Sequence, residues 1–274
     1  MSTPLSHTSA TDAAPAAGKI ITVASGKGGV GKTMLSATLA HSFAFAGARA
    51  LLVDCDLGLA NVDVQLGITP AHDLADVVDG SVAFEEAILR VAGDGSATGR
   101  GGFDVMAGSS GSGALGALAR TELARLRQGL LLIAAHYDRV IVDLAAGIDP
   151  AVTMFAAMEG PTLVVVTDEP TSITDAYAFI KVASMAPGDG TAPTDIRILV
   201  NQAESVEAGR KTYEALSRAC GNFLGLAPPL AGIVPRDTAV RDAVRHQTPL
   251  LTRSPNAQAG SAIAQIAERL SVGA

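Results

Sequence analysis

A chain of 274 residues, 48% hydrophobic and 17% charged, has room for one large α/β domain around a sizeable core. Its net charge of −7 and pI near 5.2 provide no overall field for nucleic acid or anionic lipid. The two cysteines, Cys55 and Cys220, are far apart and form no Cys-x-x-Cys, so neither a zinc ribbon nor a redox pair is suggested. Isolated thiols fit a reducing cytosol, and no apolar run approaches the roughly 18 residues of a membrane span. A cytoplasmic protein is expected.

Residues 1–18 are rich in Ala, Ser, Thr and Pro, lack the pattern of a secretory signal and read as a disordered arm. Residues 19–274 read as a single domain. Short β-branched runs predict strands at 20–24, 50–54, 103–107, 139–143, 162–167, 196–200 and 230–234. Several lack polar alternation, as a parallel sheet covered on both faces requires. Helices are predicted at 32–46, closed by Gly47, and at 114–136, 171–185, 205–219 and 238–246. Loops are predicted at 91–102, 108–113 and 187–193. The alternation implies right-handed βαβ units and a doubly wound, mostly parallel sheet with helices on both faces. Ligands then bind beyond the carboxyl ends of the strands.

The first strand runs into Ser25-Gly26-Lys27-Gly28-Gly29-Val30-Gly31-Lys32-Thr33, which contains the phosphate-binding pattern Gly-x4-Gly-Lys-Thr. Glycines let the chain wrap so that successive N–H groups face phosphate oxygens, and the helix opening at Lys32 adds its positive end. Lys32 is expected on the β- and γ-phosphates of ATP, and Thr33 on Mg²⁺. One lysine suffices for such a loop. Lys27 is therefore either a solvated surface charge or a second cation for phosphate, in its own site or a partner's.

The later strand ends supply carboxylates. Asp56, in the loop after the second strand, is the candidate for positioning the attacking water, and Asp54 for organising Mg²⁺ and its waters. Val140-Ile141-Val142-Asp143 has the apolar-then-Asp form of a Walker B strand, with Asp143 expected on Mg²⁺ through water. The small residues Ala145, Ala146 and Gly147 suit a backbone that approaches the γ-phosphate and changes shape on hydrolysis. Asn201 offers an amide that matches the adenine edge, and Pro235-Arg236-Asp237 offers backbone groups for the base pocket; turn formation explains these residues equally well.

The phosphate loop resembles the deviant loop of the MinD/ParA family of dimerising ATPases. Further stretches are similar to the flagellar-number regulators of that family, the FlhG/FleN type. These are 56–64 (Asp-Leu-Gly-Leu-Ala-Asn-Val-Asp-Val), 143–148 (Asp-Leu-Ala-Ala-Gly-Ile) and 168–177 (Asp-Glu-Pro-Thr-Ser-Ile-Thr-Asp-Ala-Tyr). Gly-Arg-Lys-Thr-Tyr at 209–213 and Ala-Val-Arg-Asp-Ala-Val at 239–244 are similar too. The resemblance implies that Lys27 crosses a dimer interface to the partner's nucleotide, and that Glu169 and Asp175 lie near that interface or cap a helix. It implies an ATP-held homodimer with slow hydrolysis. It also implies a partner GTPase of the signal-recognition type, flagellar regulators or basal-body proteins, and contact with the membrane as a dimer.

Two departures qualify this. Many relatives carry Asp-Gln-Ala-x-x-Leu-Arg before the first strand to activate the GTPase; residues 1–18 hold nothing like it. Many end in a basic amphipathic helix, whereas the last helix here has Ile263, Ile266 and Leu270 on one face and a single cation, Arg269. That helix is expected to pack on the core, leaving membrane association weak, indirect or absent. The rival functions are a ParA-type DNA partition ATPase, opposed by the acidic balance; an iron–sulfur carrier, which needs bridging cysteines; and a carboxylate-activating synthetase, which needs a substrate pocket.

Overall fold

The computed structural model describes residues 19–272 except 57, 92, 94–100, 109–117 and 186–194. The predicted arm, the 187–193 loop and much of the other two loops lie outside the described residues. The first half of the chain forms β1 (Ile20–Ser25), α1 (Lys32–Phe45), β2 (Ala50–Cys55), α2 (Val62–Leu66), α3 (Leu74–Asp79), β3 (Ile88–Val91), β4 (Phe103–Met106) and α4 (Arg120–Ala134). The second half forms β5 (Arg139–Ala146), α5 (Pro150–Ala156), β6 (Pro161–Val166), α6 (Pro170–Ser184), β7 (Asp195–Ala203), α7 (Val206–Leu224), β8 (Leu230–Pro235), α8 (Thr238–Arg245), α9 (Leu250–Arg253) and α10 (Gln258–Val272).

The eight strands make one sheet in the order β3-β4-β2-β5-β1-β6-β7-β8. Every neighbouring pair is parallel except β3 with β4. Seven strands fall where the sequence predicts them. The eighth, β3, is a four-residue edge strand, too short and too exposed to show a period.

The missing polar alternation has a direct cause. Along β1, Ile20 and Ala24 pack on one face with Leu130 of α4, Phe155 of α5 and Phe179 of α6. Ile21 and Val23 pack on the other with Leu35 and Phe43 of α1 and Ile263 of α10. Both sides of the sheet are core, so both sides are apolar. Ile263, Ile266 and Leu270 are all buried as the sequence predicts, each stabilising the docked helix by about 1.5–3 kcal/mol. While α10 stays docked, these side chains offer no stripe to a lipid surface.

From β1 the chain moves to β2 on one side of the sheet, and from β6 onward it moves to the other. β1 therefore sits at the reversal of strand order, where a crevice opens beyond the carboxyl ends.

Candidate active site at the reversal of strand order

The loop after β1 is shaped by contacts that only glycine permits. Gly29 and Gly31 have φ of +79° and +86°, in the left-handed region. A Cβ at Gly26 would lie 2.0 Å from the Asp175 carbonyl oxygen of α6, and one at Gly31 would lie 2.7 Å from Asn201 Nδ2. The Ser25 hydroxyl donates to the Lys27 carbonyl at 2.7 Å.

Helix α1 starts at Lys32 with no side-chain cap and no acid in its first turn. By contrast α7 is capped by Ser205, whose hydroxyl accepts from the Ala208 N–H. The start of α1 is thus left for an external anion. It opens on a cleft of about 680 Å³ lined by Gly28, Gly29, Gly31, Lys32, Thr33 and Asp56, with Asn201, Pro235 and Asp237 across from them. These residues suit a nucleotide: a glycine cradle, an uncapped helix start, an ammonium and a hydroxyl.

Asp54 and Asp143 are register partners on β2 and β5, and each is 1% exposed. Burial pushes both carboxyls well above the ordinary carboxylate range. The charge of Lys32 and the hydroxyls of Thr33 and Ser36 act on Asp143 in the opposite sense, and the Ser36 hydroxyl donates to Asp143 Oδ1 at 3.0 Å. Thr33 and Asp143 are therefore neighbours, the pair a Mg²⁺ bound with ATP would need.

Asp54 has a role in the loop that spacing did not show. Its Oδ1 accepts from the Asp56 N–H at 3.1 Å, and its Oδ2 accepts from the Asn61 and Val62 N–H groups at 3.0 and 3.1 Å. It shapes the loop that carries Asp56 and, like Asp143, is absent from the cleft wall. Asp54→Ala strands three N–H groups, so we expect the folded state to lose about 2–3 kcal/mol, measured by urea unfolding. A loss under about 0.5 kcal/mol would contradict this role.

Asp56 lies on the cleft wall, with Oδ1 accepting from Leu59 N–H at 3.0 Å. Beyond β5, the Gly147 N–H donates to the Ser25 carbonyl at 2.9 Å, and Gly147 has φ +112°. At the end of β7, Asn201 Nδ2 donates to the Val30 carbonyl at 2.8 Å. Much of the amide expected at adenine is thus engaged by the phosphate loop. Asp237 uses its side chain to cap α8 through Ala239 N–H and to hold α10 through Ala259 N–H, which leaves its backbone for a ligand.

Two residues at the cleft, Gln202 and Arg241, carried no signal in sequence. Gln202 has φ +57° where the β7–β8 ladder slips, and its Nε2 reaches the Gly29 carbonyl at 3.3 Å. A non-glycine residue in that conformation stores strain that its surroundings must hold. Arg241 lines the cleft, and so does Arg236 between Pro235 and Asp237, where the sequence reading places it. An exposed arginine near a helix start is commonplace, so Arg241 did not stand out.

Residues 21–250 match the CobQ/CobB/MinD/ParA nucleotide binding domain. The chain belongs to the MinD/ParA family. The antiactivator FleN of Pseudomonas aeruginosa is 38% identical over 252 residues, covering 92% of this chain and 86% of that protein. The flagellum site-determining protein YlxH of Helicobacter pylori is 31% identical over 251 residues, covering 91% and 80%. The cell division ATPase MinD of Pyrococcus furiosus shares the fold, with a TM-score of 0.75 at 24% identity over 94% of this chain and all of that one. This MinD/ParA protein is accordingly a nucleotide-binding ATPase of the MinD type, similar to the flagellar proteins FleN and YlxH. Among the described residues no helix is long and apolar enough to cross a membrane.

Proposed function

We propose that the protein is an ATP-dependent dimerising switch that regulates flagellar number or placement. The observation that carries the dimer is the position of Lys27. It belongs to the phosphate loop but not to the cleft wall, and its ammonium meets Glu169 and Thr171 outside its own cleft. A cation so placed is better suited to a second copy's triphosphate than to its own. The similarity to FleN and YlxH supports the flagellar role.

In this reading residues 19–274 act as one domain. Lys32 and the amides of Gly28–Gly31 hold the phosphates, Thr33 and Asp143 hold Mg²⁺, and Asp56 orients the attacking water. Mg²⁺ supplies charge neutralisation on the phosphate oxygens. Loss of the γ-phosphate removes what Lys27 grips across the interface, and the subunits part. The site is cytoplasmic. Partners of the kind the resemblance implies, a signal-recognition-type GTPase and flagellar regulators, would read the dimer. In this reading any contact with membrane is weak or indirect and does not use the apolar face of α10, which packs on the core.

Sedimentation velocity with Mg-ATP and with Mg-ADP tests the switch: the expected result is a dimer with ATP only. Lys27→Ala should keep nucleotide affinity and dimerise at least about tenfold more weakly. An ATP-dependent dimer of normal strength in that variant would remove the trans role. Deletion in the source organism should change flagellar number or position, and unaltered flagellation would remove the flagellar half.

A further inference from the structure

Helix α8 ends in a turn that ordinarily takes glycine. The Gln247 N–H donates to the Val244 carbonyl and the Thr248 N–H to the Ala243 carbonyl, both at 3.1 Å, and Gln247 has φ +49°. Glycine or asparagine is usual at that left-handed place after a helix, because other side chains are strained there. Here the side chain has a use. Gln247 Nε2 donates at 3.0 Å to the Val64 carbonyl of α2, 183 residues away in sequence. That carbonyl is left over by its own helix, since the Gly67 and Ile68 N–H groups both turn back to the Asp63 carbonyl. The approach is close from the other side too. A Cβ at Gly67, where φ is +64°, would lie 2.7 Å from the Gln247 carbonyl oxygen.

This clasp joins two parts of the cleft wall. Helix α8 follows the Pro235–Asp237 corner and contributes Val240, Arg241 and Val244; α2 follows the loop of Asp56 and contributes Gln65. At its start, α2 is tied to β2 by the Asp54 carboxylate through the Asn61 and Val62 N–H groups. Between the helices, Leu66, Ala243 and Leu250 are buried in one apolar cluster, and the gap left there is only about 20 Å³. Hydrophobic attraction is non-directional, so it brings α2 against α8 without choosing their alignment. A hydrogen bond has direction and sets it.

Resting on the water-orienting role proposed above for Asp56, we infer that Gln247 is a positioning residue for ATP hydrolysis, acting from outside the reacting groups. It fastens the far end of α2 to α8, as Asp54 fastens the near end to the sheet. The Asp56 loop, which runs into α2, is thereby anchored at a fixed place beside the phosphate loop, as an oriented water requires. Without the clasp ATP still binds, because no group of the glycine cradle is touched. Asp56 then samples a wider range of positions, and fewer of them are productive. Gln247 is exposed and water competes for its hydrogen bond, so the effect is a graded loss of rate.

Gln247→Glu keeps the side-chain length and replaces the donor by an acceptor. In single-turnover assays on the full chain it should slow Mg-ATP hydrolysis about three- to tenfold, with ATP affinity by calorimetry within about twofold of the wild type. Gln247→Gly, which relaxes the turn, should slow it about two- to fivefold, and Gln247→Lys, which restores a donor, should recover most of the rate. Hydrogen exchange at 61–68 should quicken several-fold in Gln247→Glu and stay unchanged in α10. An unaltered rate in Gln247→Glu and Gln247→Gly overturns the inference. So does a fall in affinity that matches the fall in rate, a failure of Gln247→Lys to recover, or unaltered exchange at 61–68. Adding Gln247→Glu to Asp56→Ala should slow the reaction no further; a second full loss means that the clasp does not act through Asp56, and overturns it. Normal hydrolysis by Asp56→Ala alone overturns the reading of Asp56 and this inference with it. A slow Asp56→Ala beside a normal Gln247→Glu overturns this inference only.

Discussion

Lys32→Ala should weaken Mg-ATP binding at least about a hundredfold, equivalent to about 2.7 kcal/mol. Lys32 is 8% exposed, opens α1 and lies on the wall of the cleft. A charge-assisted contact to phosphate in so sheltered a place is among the stronger polar interactions a site can make. The lysine also acts on the buried Asp143, whose carboxyl it draws down against the effect of burial. Its removal leaves the Asp54–Asp143 pair with less compensation and makes a second anion in the cleft more costly. Isothermal titration calorimetry reads the affinity, and circular dichroism checks that the fold survives. An affinity within threefold of the wild type would remove the phosphate role of Lys32 and with it the nucleotide geometry built on the loop.

Asp56→Ala should lower ATP hydrolysis by about a hundredfold or more while leaving ATP affinity within a few-fold of the wild type. The reason is a division of labour within one carboxylate. Oδ1 is spent on the Leu59 N–H, with a longer contact to Gly58 N–H, whereas Oδ2 accepts no hydrogen bond among the described residues. The side chain is on the cleft wall but belongs to neither the glycine cradle nor the Thr33–Asp143 pair. It is therefore suited to orienting a water and unnecessary for holding the phosphates. The variant should accumulate as a dimer in Mg-ATP, because the proposed Lys27 contact between subunits is not removed. Single-turnover hydrolysis with sedimentation separates the two effects. Normal turnover would end the water-positioning role, and loss of ATP affinity would make Asp56 a binding residue instead.

Much of this was legible because it is local. The phosphate loop is a contiguous pattern whose glycines answer to backbone geometry, and the buried strands announce themselves by apolar runs. The strand-end aspartates were found because parallel sheets collect their functional groups at one edge. What sequence hid is pairing at a distance. Lys27 and Glu169 are 142 residues apart, and nothing in either segment says that they touch. Asn201 was placed correctly at a strand end, yet its contact with Val30 depends on how β7 lies beside the loop. Asp54 was expected to organise Mg²⁺ and its waters because two carboxylates beside a nucleotide need compensation. Its engagement with Asn61 and Val62 follows from the path of a loop that closes back on it, which spacing does not encode. The edge strand β3 and the helices α2, α3, α5 and α9 are too short for any period to emerge.

Ser25 has a consequence for how such proteins diverge. Its hydroxyl holds the Lys27 carbonyl, and its own carbonyl receives the Gly147 N–H. The segment after β5 is thereby joined to the phosphate loop through peptide groups, with the Ser25 hydroxyl as a side-chain link. A relay built of amides is largely indifferent to which side chains decorate it. The trigger can persist through extensive genetic drift while surrounding surfaces are rewritten for new clients, provided position 147 keeps its unusual twist and position 25 its hydroxyl.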